Sequence, residues 1–134
     1  MRGIAALERL LFSDAWSAEG IASSIDSPLS LALVAQTDSG IIGYLLASVL
    51  APEGELFRIG VCPEHRRMGI GGKLMEGFLS QAGALGCGTL FLEVRSKNES
   101  AISLYRRCGF SDCGLRKKYY HQPEDDALLM KAEI

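Results

Sequence analysis

The chain has 134 residues, a length for one domain with a real core rather than two. Hydrophobic residues make up 48% and charged residues 22%, the balance of an ordinary soluble globular protein, and no apolar run approaches the ~18 residues of a membrane span. A net charge of −2 excludes a general attraction to nucleic acid and leaves only local basic patches at Arg66-Arg67 and Arg116-Lys117-Lys118, the second reading as a solvated loop. The N-terminus lacks a basic region followed by a long apolar core, so no signal peptide is expected.

In chain order, residues 4–13 carry apolar side chains at helical spacing: Ile4, Leu7, Leu10 and Leu11. Ser17 can cap a second short helix through Ile21 and Ile25. Leu31 to Ala35 and Ile41 to Leu50 read as strands joined by a hairpin loop, Thr37-Asp38-Ser39-Gly40. A third strand spans 55–61. A helix follows, with Leu74, Met75, Phe78, Leu79 and Ala82 on its apolar positions, ended by Gly83 and Gly86. Thr89 to Arg95 is a strand rich in branched and aromatic residues. Asn98 caps a helix running to Cys108, with Gly109 placed just past its C-terminus. Phe110 to Lys118 and Asp126 to Glu133 are the last strands. The whole is one mixed α/β domain, residues 1–134, with antiparallel strands early and a β-α-β unit in the middle.

The run Arg66-Arg67-Met68-Gly69-Ile70-Gly71-Gly72-Lys73-Leu74 lies between the third strand and its helix. Glycines allow close backbone approach, and the first N–H groups of a helix lack internal partners, so the order strand, glycine turn, helix suits an anion such as phosphate. A plain glycine-rich turn beside solvated arginines fits the same residues. A P-loop is excluded because Lys73 is followed by Leu74 instead of a hydroxyl. A dinucleotide fingerprint fails because Leu74 stands where the third glycine belongs.

Four cysteines, at 62, 87, 108 and 113, form no Cys-x-x-Cys pair, and the two histidines are His65 and His121. Zinc spacing is absent, no metal is expected, and all four cysteines read as buried small hydrophobes in a reducing cytosol. His65 flanks the anion loop, and His121 falls in a loop among Tyr119, Tyr120 and Pro123. Glu93 alternates with Leu92 and Val94, so it faces either solvent or a cleft. Tyr105 shares a helical face with Ala101, Ile102 and Cys108, a core position with its hydroxyl at an edge.

Together these elements resemble the GCN5-related N-acetyltransferase (GNAT) superfamily. Arg66-Arg67-Met68-Gly69-Ile70-Gly71 is similar to its phosphate motif, preceded by Ile59-Gly60-Val61-Cys62-Pro63. The stretch from Leu92 to Phe110, Trp16-Ser17 near the start, Arg116-Lys117-Lys118-Tyr119-Tyr120 and Asp125-Asp126-Ala127 resemble the ribosomal-protein-alanine (RimI-like) branch. The similarity covers residues 12–130, and the chain begins at the family's first helix, without its usual first strand.

The resemblance implies a mixed, mostly antiparallel sheet flanked by helices, and acetyl-CoA as co-substrate. Pyrophosphate would rest on the amides from Arg67 through Gly72, with Arg66 nearby, so that Met68, Gly69, Ile70 and Gly71 belong to the cofactor site. Pantetheine would run beside Ile59-Gly60-Val61, a backbone N–H there would polarise the thioester carbonyl, and Asn98 would hydrogen-bond the cofactor. In the family pattern Glu93 is the base and Tyr105 the acid. The acceptor implied is a protein N-terminal amine, the N-terminal alanine of a small-subunit ribosomal protein in the cytoplasm, with Tyr119 and Tyr120, on the loop before the last strand, lining the peptide slot. A small amine or lysine acceptor, or a CoA-binding sensor without turnover, are the other readings. Neither nucleic acid nor a membrane is an expected partner.

Overall fold

A computed structural model describes residues 2–11, 20, 27–66, 68–121 and 124–134. The expected second helix, with Trp16, Ser17, Ile21 and Ile25, lies outside the described residues, as do Arg67 and Pro123. The elements are α1 (Arg2–Leu11), β1 (Ser30–Thr37), β2 (Gly40–Leu50), β3 (Glu53–Val61), α2 (Ile70–Ala84), β4 (Thr89–Arg95), α3 (Glu99–Arg107), β5 (Ser111–Tyr120) and β6 (Asp125–Glu133). The six strands form one sheet in the order β1-β2-β3-β4-β6-β5. Only β3 and β4 pair in parallel, because α2 makes the crossover between them. Among the described residues no strand precedes α1.

The strands alternate, so each face of the sheet collects its own core. On one face β2 and β4 contribute Leu45, Ala47, Leu90, Leu92 and Val94 to a cluster with Leu74, Met75, Phe78 and Ala82 of α2 and Ile102 and Tyr105 of α3. On the other face Ile4, Ala5 and Leu7 of α1 pack on Tyr44 and Leu46 of β2. The two helical layers thus sandwich the sheet and leave its middle for a site.

Three details differ from the sequence reading. α2 runs through Gly83 to Ala84. Its stop is Gly86 at φ +93, where Cys87 N–H bonds the Ala82 carbonyl and Gly86 N–H the Gly83 carbonyl at 3.0 Å each. That is a Schellman cap, which needs its left-handed residue one place past the C-cap, here Leu85, where Gly83 does not stand. Of the four cysteines only Cys87 is buried; Cys62 and Cys108 are half-buried and Cys113 is exposed on edge strand β5. Arg116-Lys117-Lys118, read as a solvated loop, and Tyr119 and Tyr120 all belong to β5, because the strand resumes pairing at Tyr120↔Asp125.

Candidate active site

The site begins with a split in the sheet. β3 pairs with β4 only from Glu53↔Thr89 to Leu56↔Leu92. Beyond that rung β3 stays on β2 as far as Gly43↔Val61, and β4 stays on β6 as far as Arg95↔Ala127. The split opens where β3 gains a residue: Ala47 faces Leu56 and Leu46 faces Arg58, so Phe57 has no opposite number. Such a bulge bends its strand and advances the side-chain alternation by one. Before it, Leu56 points into the helical core; after it, Ile59 and Val61 do, and Arg58 turns to the α1 face.

There Arg58 meets Glu8, which is fully buried. The guanidinium Nε donates to Glu8 Oε2 at 3.1 Å, and the Tyr44 hydroxyl donates a short hydrogen bond to Glu8 Oε1. Burial, followed by the bond and charge of Glu8, raises the Tyr44 pKa far above its ordinary value. This cluster ties α1 to β2 and β3. It also explains Gly60: a Cβ there would stand 2.7 Å from Leu11 and 3.0 Å from the Tyr44 ring. Glycine at 60 makes room for α1.

Two cavities meet at the split. One, of about 420 Å³, is lined by Ile59, Glu93, Asn98, Ala101 and Tyr105 among others. The second, of about 580 Å³, is lined by Glu55, Glu93, Arg95, Tyr119, Tyr120 and His121 among others. Glu93, Phe57, Arg58 and Tyr120 border both. The expected acid and base thus share the first cavity, while both tyrosines of the expected peptide slot line the second.

Tyr105 owes its placement to the end of α3. Phe110 N–H bonds the Tyr105 carbonyl at 3.0 Å and Gly109 N–H the Arg106 carbonyl at 3.1 Å, with Gly109 at φ +98. The accompanying apolar contact of this cap is the Phe110 ring against Tyr105, 6.2 Å between centroids. Burial drives the Tyr105 pKa well above its usual value, so the phenol stays protonated. At the other end of α3, Asn98 caps the helix: its Oδ1 accepts from Ala101 N–H at 3.3 Å.

The glycine turn is suited to an anion. Gly69 is the N-cap of α2 at φ +76, has no side chain with which to cap, and the first turn carries no acid. The early amides of α2 therefore remain available to a ligand. A Cβ at Gly72 would meet nothing within 4 Å, so the approach to the backbone is open there. Arg66 Nε donates to the Val61 carbonyl at 3.3 Å, holding its exposed guanidinium beside the loop. Met68 is exposed and Ile70 half-buried, and both side chains are apolar, so only their backbone is suited to an anion. The residues present fit a pyrophosphate.

Several residues around the site make contacts to which the sequence reading assigned no role. Glu55, paired opposite Phe91 just before the split, lines the second cavity with Glu93; burial first, then the Glu93 charge, raises its pKa, and Arg116 opposes the rise. Arg116 also reaches Glu93 Oε1 at 3.6 Å. Asp125 is buried and accepts from Ser96 Oγ at 2.6 Å and Lys97 N–H at 3.1 Å, fixing the turn that delivers Asn98. The bond from Ser96, ahead of its backbone bonds, lowers the Asp125 pKa. In β5, residues 117–119 bulge opposite Asp126, with Lys118 at φ +52 and its N–H on Asp126 Oδ1 at 2.9 Å. This bulge presents Tyr119 and Tyr120, whose rings meet edge-to-face at 5.1 Å, with Arg95 4.4 Å over the Tyr120 ring.

The family model for the acetyltransferase (GNAT) family matches residues 1–110. The chain belongs to the GNAT family. A [ribosomal protein bS18]-alanine N-acetyltransferase of Salmonella typhimurium is 36% identical over 79% of this chain and 72% of its own length. The N-alpha-acetyltransferase RimI of Mycobacterium tuberculosis is 34% identical over 96% of this chain and 84% of its own. The crystal structure of the ribosomal-protein-S18-alanine N-acetyltransferase from Escherichia coli superposes with a TM-score of 0.92 at 29% identity, covering 99% of this chain and 86% of that one. In sequence, the alignment to the Escherichia coli relative spans 63% of that protein's length. The split sheet is therefore a GNAT sheet, and no helix among the described residues is long and apolar enough to cross a membrane.

Proposed function

We propose that this GNAT protein transfers an acetyl group from acetyl-CoA to a protein N-terminal α-amine, the N-terminal alanine of a small-subunit ribosomal protein of the bS18 type. The observation that carries the mechanism is the position of Glu93 where the two cavities meet, with buried Tyr105 on the first. Acetyl-CoA supplies the acetyl group activated as a thioester. The α2 amides and Arg66 hold its pyrophosphate, the open edge of Ile59-Gly60-Val61 takes its pantetheine, and Asn98 holds its position. A β3 backbone N–H stabilises the charge that develops on the carbonyl oxygen. The acceptor amine enters from the Tyr119–Tyr120 side.

The carbon–nitrogen bond forms as the carbon–sulfur bond breaks. Glu93, directly or through water, takes the proton that the amine loses. Tyr105 gives its phenolic proton to the departing sulfur, and the pair exchange protons with solvent before the next turnover. An α-amine, with pKa near 8, is far easier to neutralise than a lysine near 10.4, by roughly 3 kcal/mol at neutral pH. One carboxylate therefore suffices, and neighbouring Glu55 adds negative charge that attracts the incoming ammonium. The reaction belongs in the cytosol with its ribosomal acceptor.

Thiol release from acetyl-CoA tests the reading with three acceptors: an alanine-initiated peptide of the bS18 type, its N-blocked lysine-containing version, and a polyamine panel. Turnover confined to the free N-terminus is expected. Turnover confined to the blocked peptide or polyamines assigns a different acceptor, and CoA binding without turnover makes the protein a sensor.

A further inference from the structure

Away from the split, the short turn between β3 and the glycine loop gathers three potential metal ligands that the transfer reaction does not use. Pro63–His65 form one turn of 3-10 helix. The turn brings one donor atom each from Cys62, Glu64 and His65 to within 4.8 Å of one another. Cys62 Sγ already donates to Glu64 Oε2 at 3.2 Å, so two of the three side chains converge. His65 Nδ1 is buried and has no hydrogen-bond partner among the described residues. A buried polar atom left unpaired is costly, so the imidazole holds coordinating capacity that no described residue takes up.

We propose that Cys62, Glu64 and His65 form a three-ligand site for a divalent transition-metal ion of the zinc class. Thiolate, imidazole and carboxylate together are the donors of zinc and its borderline neighbours. Magnesium and calcium, which take oxygen shells, are poorly served by a set with one oxygen ligand. Donor atoms spread over at most 4.8 Å need only small side-chain movements to reach bonds of about 2.0–2.3 Å around a tetrahedral ion. Three protein ligands leave the fourth position to water. On binding, the Cys62 thiol proton passes to solvent and sulfur bonds the metal as thiolate. The sequence conceals this site because Cys-x-Glu-His matches no familiar zinc spacing. Its ligands come from one 3-10 turn, in which side chains three apart eclipse. Bound metal would fasten the turn that leads into Arg66 and the pyrophosphate loop.

Cobalt(II) and zinc(II) test the site in the 134-residue chain, freed of chelators and with acetyl-CoA absent. Titration with Co²⁺ is expected to develop thiolate-to-cobalt charge transfer and the strong visible bands of tetrahedral cobalt, saturating at one equivalent. Both are expected to vanish in Cys62→Ser and weaken in His65→Gln. In the unaltered protein, Zn²⁺ at ten times its dissociation constant should slow alkylation of Cys62 about tenfold, mapped by mass spectrometry, while exposed Cys113 labels at an unchanged rate. The alkylation result stands even if the variants misfold. No thiolate band, a band that survives Cys62→Ser, or Cys62 labelling indifferent to Zn²⁺ would each overturn the proposal.

Discussion

Replacing Glu8 with alanine tests whether the buried cluster under α1 holds the active-site strands. Glu8 is 0% exposed and the Arg58 side chain 14%, so the pair lies almost wholly out of water. Removing one partner of a buried ion pair costs about 3–5 kcal/mol, since the other charge is left without its counterpart. The Tyr44 hydroxyl loses its acceptor as well, a cost that overlaps the first. With an unfolding entropy of about 2.1 cal/mol/K per residue, 134 residues give about 0.28 kcal/mol/K. Glu8→Ala should therefore lower Tm by about 11–18 °C, read by calorimetry at neutral pH. Glu8→Gln keeps an acceptor for Tyr44 but no charge for Arg58, and should fall between the two. A loss under about 3 °C for the alanine variant, near 1 kcal/mol, would refute the claim that this cluster carries charge in a dry core.

Other outcomes follow from the same geometry. Glu93→Gln should lower the transfer rate by about 10²- to 10⁴-fold, most severely at low pH where amine deprotonation limits the reaction; steady-state rates across pH with the true acceptor check this. Tyr105→Phe should lower kcat with little change in acetyl-CoA affinity. Because burial raises its pKa, Tyr105 stays protonated throughout neutral pH and should add no falling limb to the kcat profile below about pH 10. Gly69→Ala forces a side chain into left-handed backbone at about 1–2 kcal/mol, and a loop that relaxes in response should raise the KM for acetyl-CoA about five- to thirtyfold. Asp125 has a depressed folded pKa, so its stabilisation is complete above the unfolded carboxyl value and fades as pH falls through the folded one. Asp125→Asn should accordingly flatten the acid-side fall of Tm in scans below about pH 4.

The framework was legible because its signals are local. Thr89–Arg95 declares its strand by composition, Asn98 and Gly109 mark the two ends of α3, and the Thr37–Gly40 turn joins two alternating runs. Glu93 and Tyr105 became candidates through motif positions, since strand alternation alone left Glu93 between solvent and cleft. The bulges at Phe57 and at 117–119 were hidden, because a bulge is a relation between two strands and neither strand states its register. Arg58 was missed with them: without the shift at Phe57 it would sit on the wrong face. Glu8 was missed because one acid among apolar helix positions resembles a boundary residue, and Tyr44 and Arg58, which it meets, lie 36 and 50 residues away. Glu55 is invisible until β3 and β4 are set side by side.

The split between β3 and β4 also bears on how the protein avoids sticking to itself. A parted sheet exposes two strand edges in its middle, and an open edge is a template for addition of a foreign strand and for aggregation. The bulge at Phe57 bends one of these edges out of register with a flat strand, and Glu93 and Arg95 place charge along the other. A third strand of apolar side chains is thereby refused, while a slender ligand that brings its own amides can still enter. Residues that border the cavities thus also guard the edges of the sheet, and substitutions that neutralise them should invite self-association.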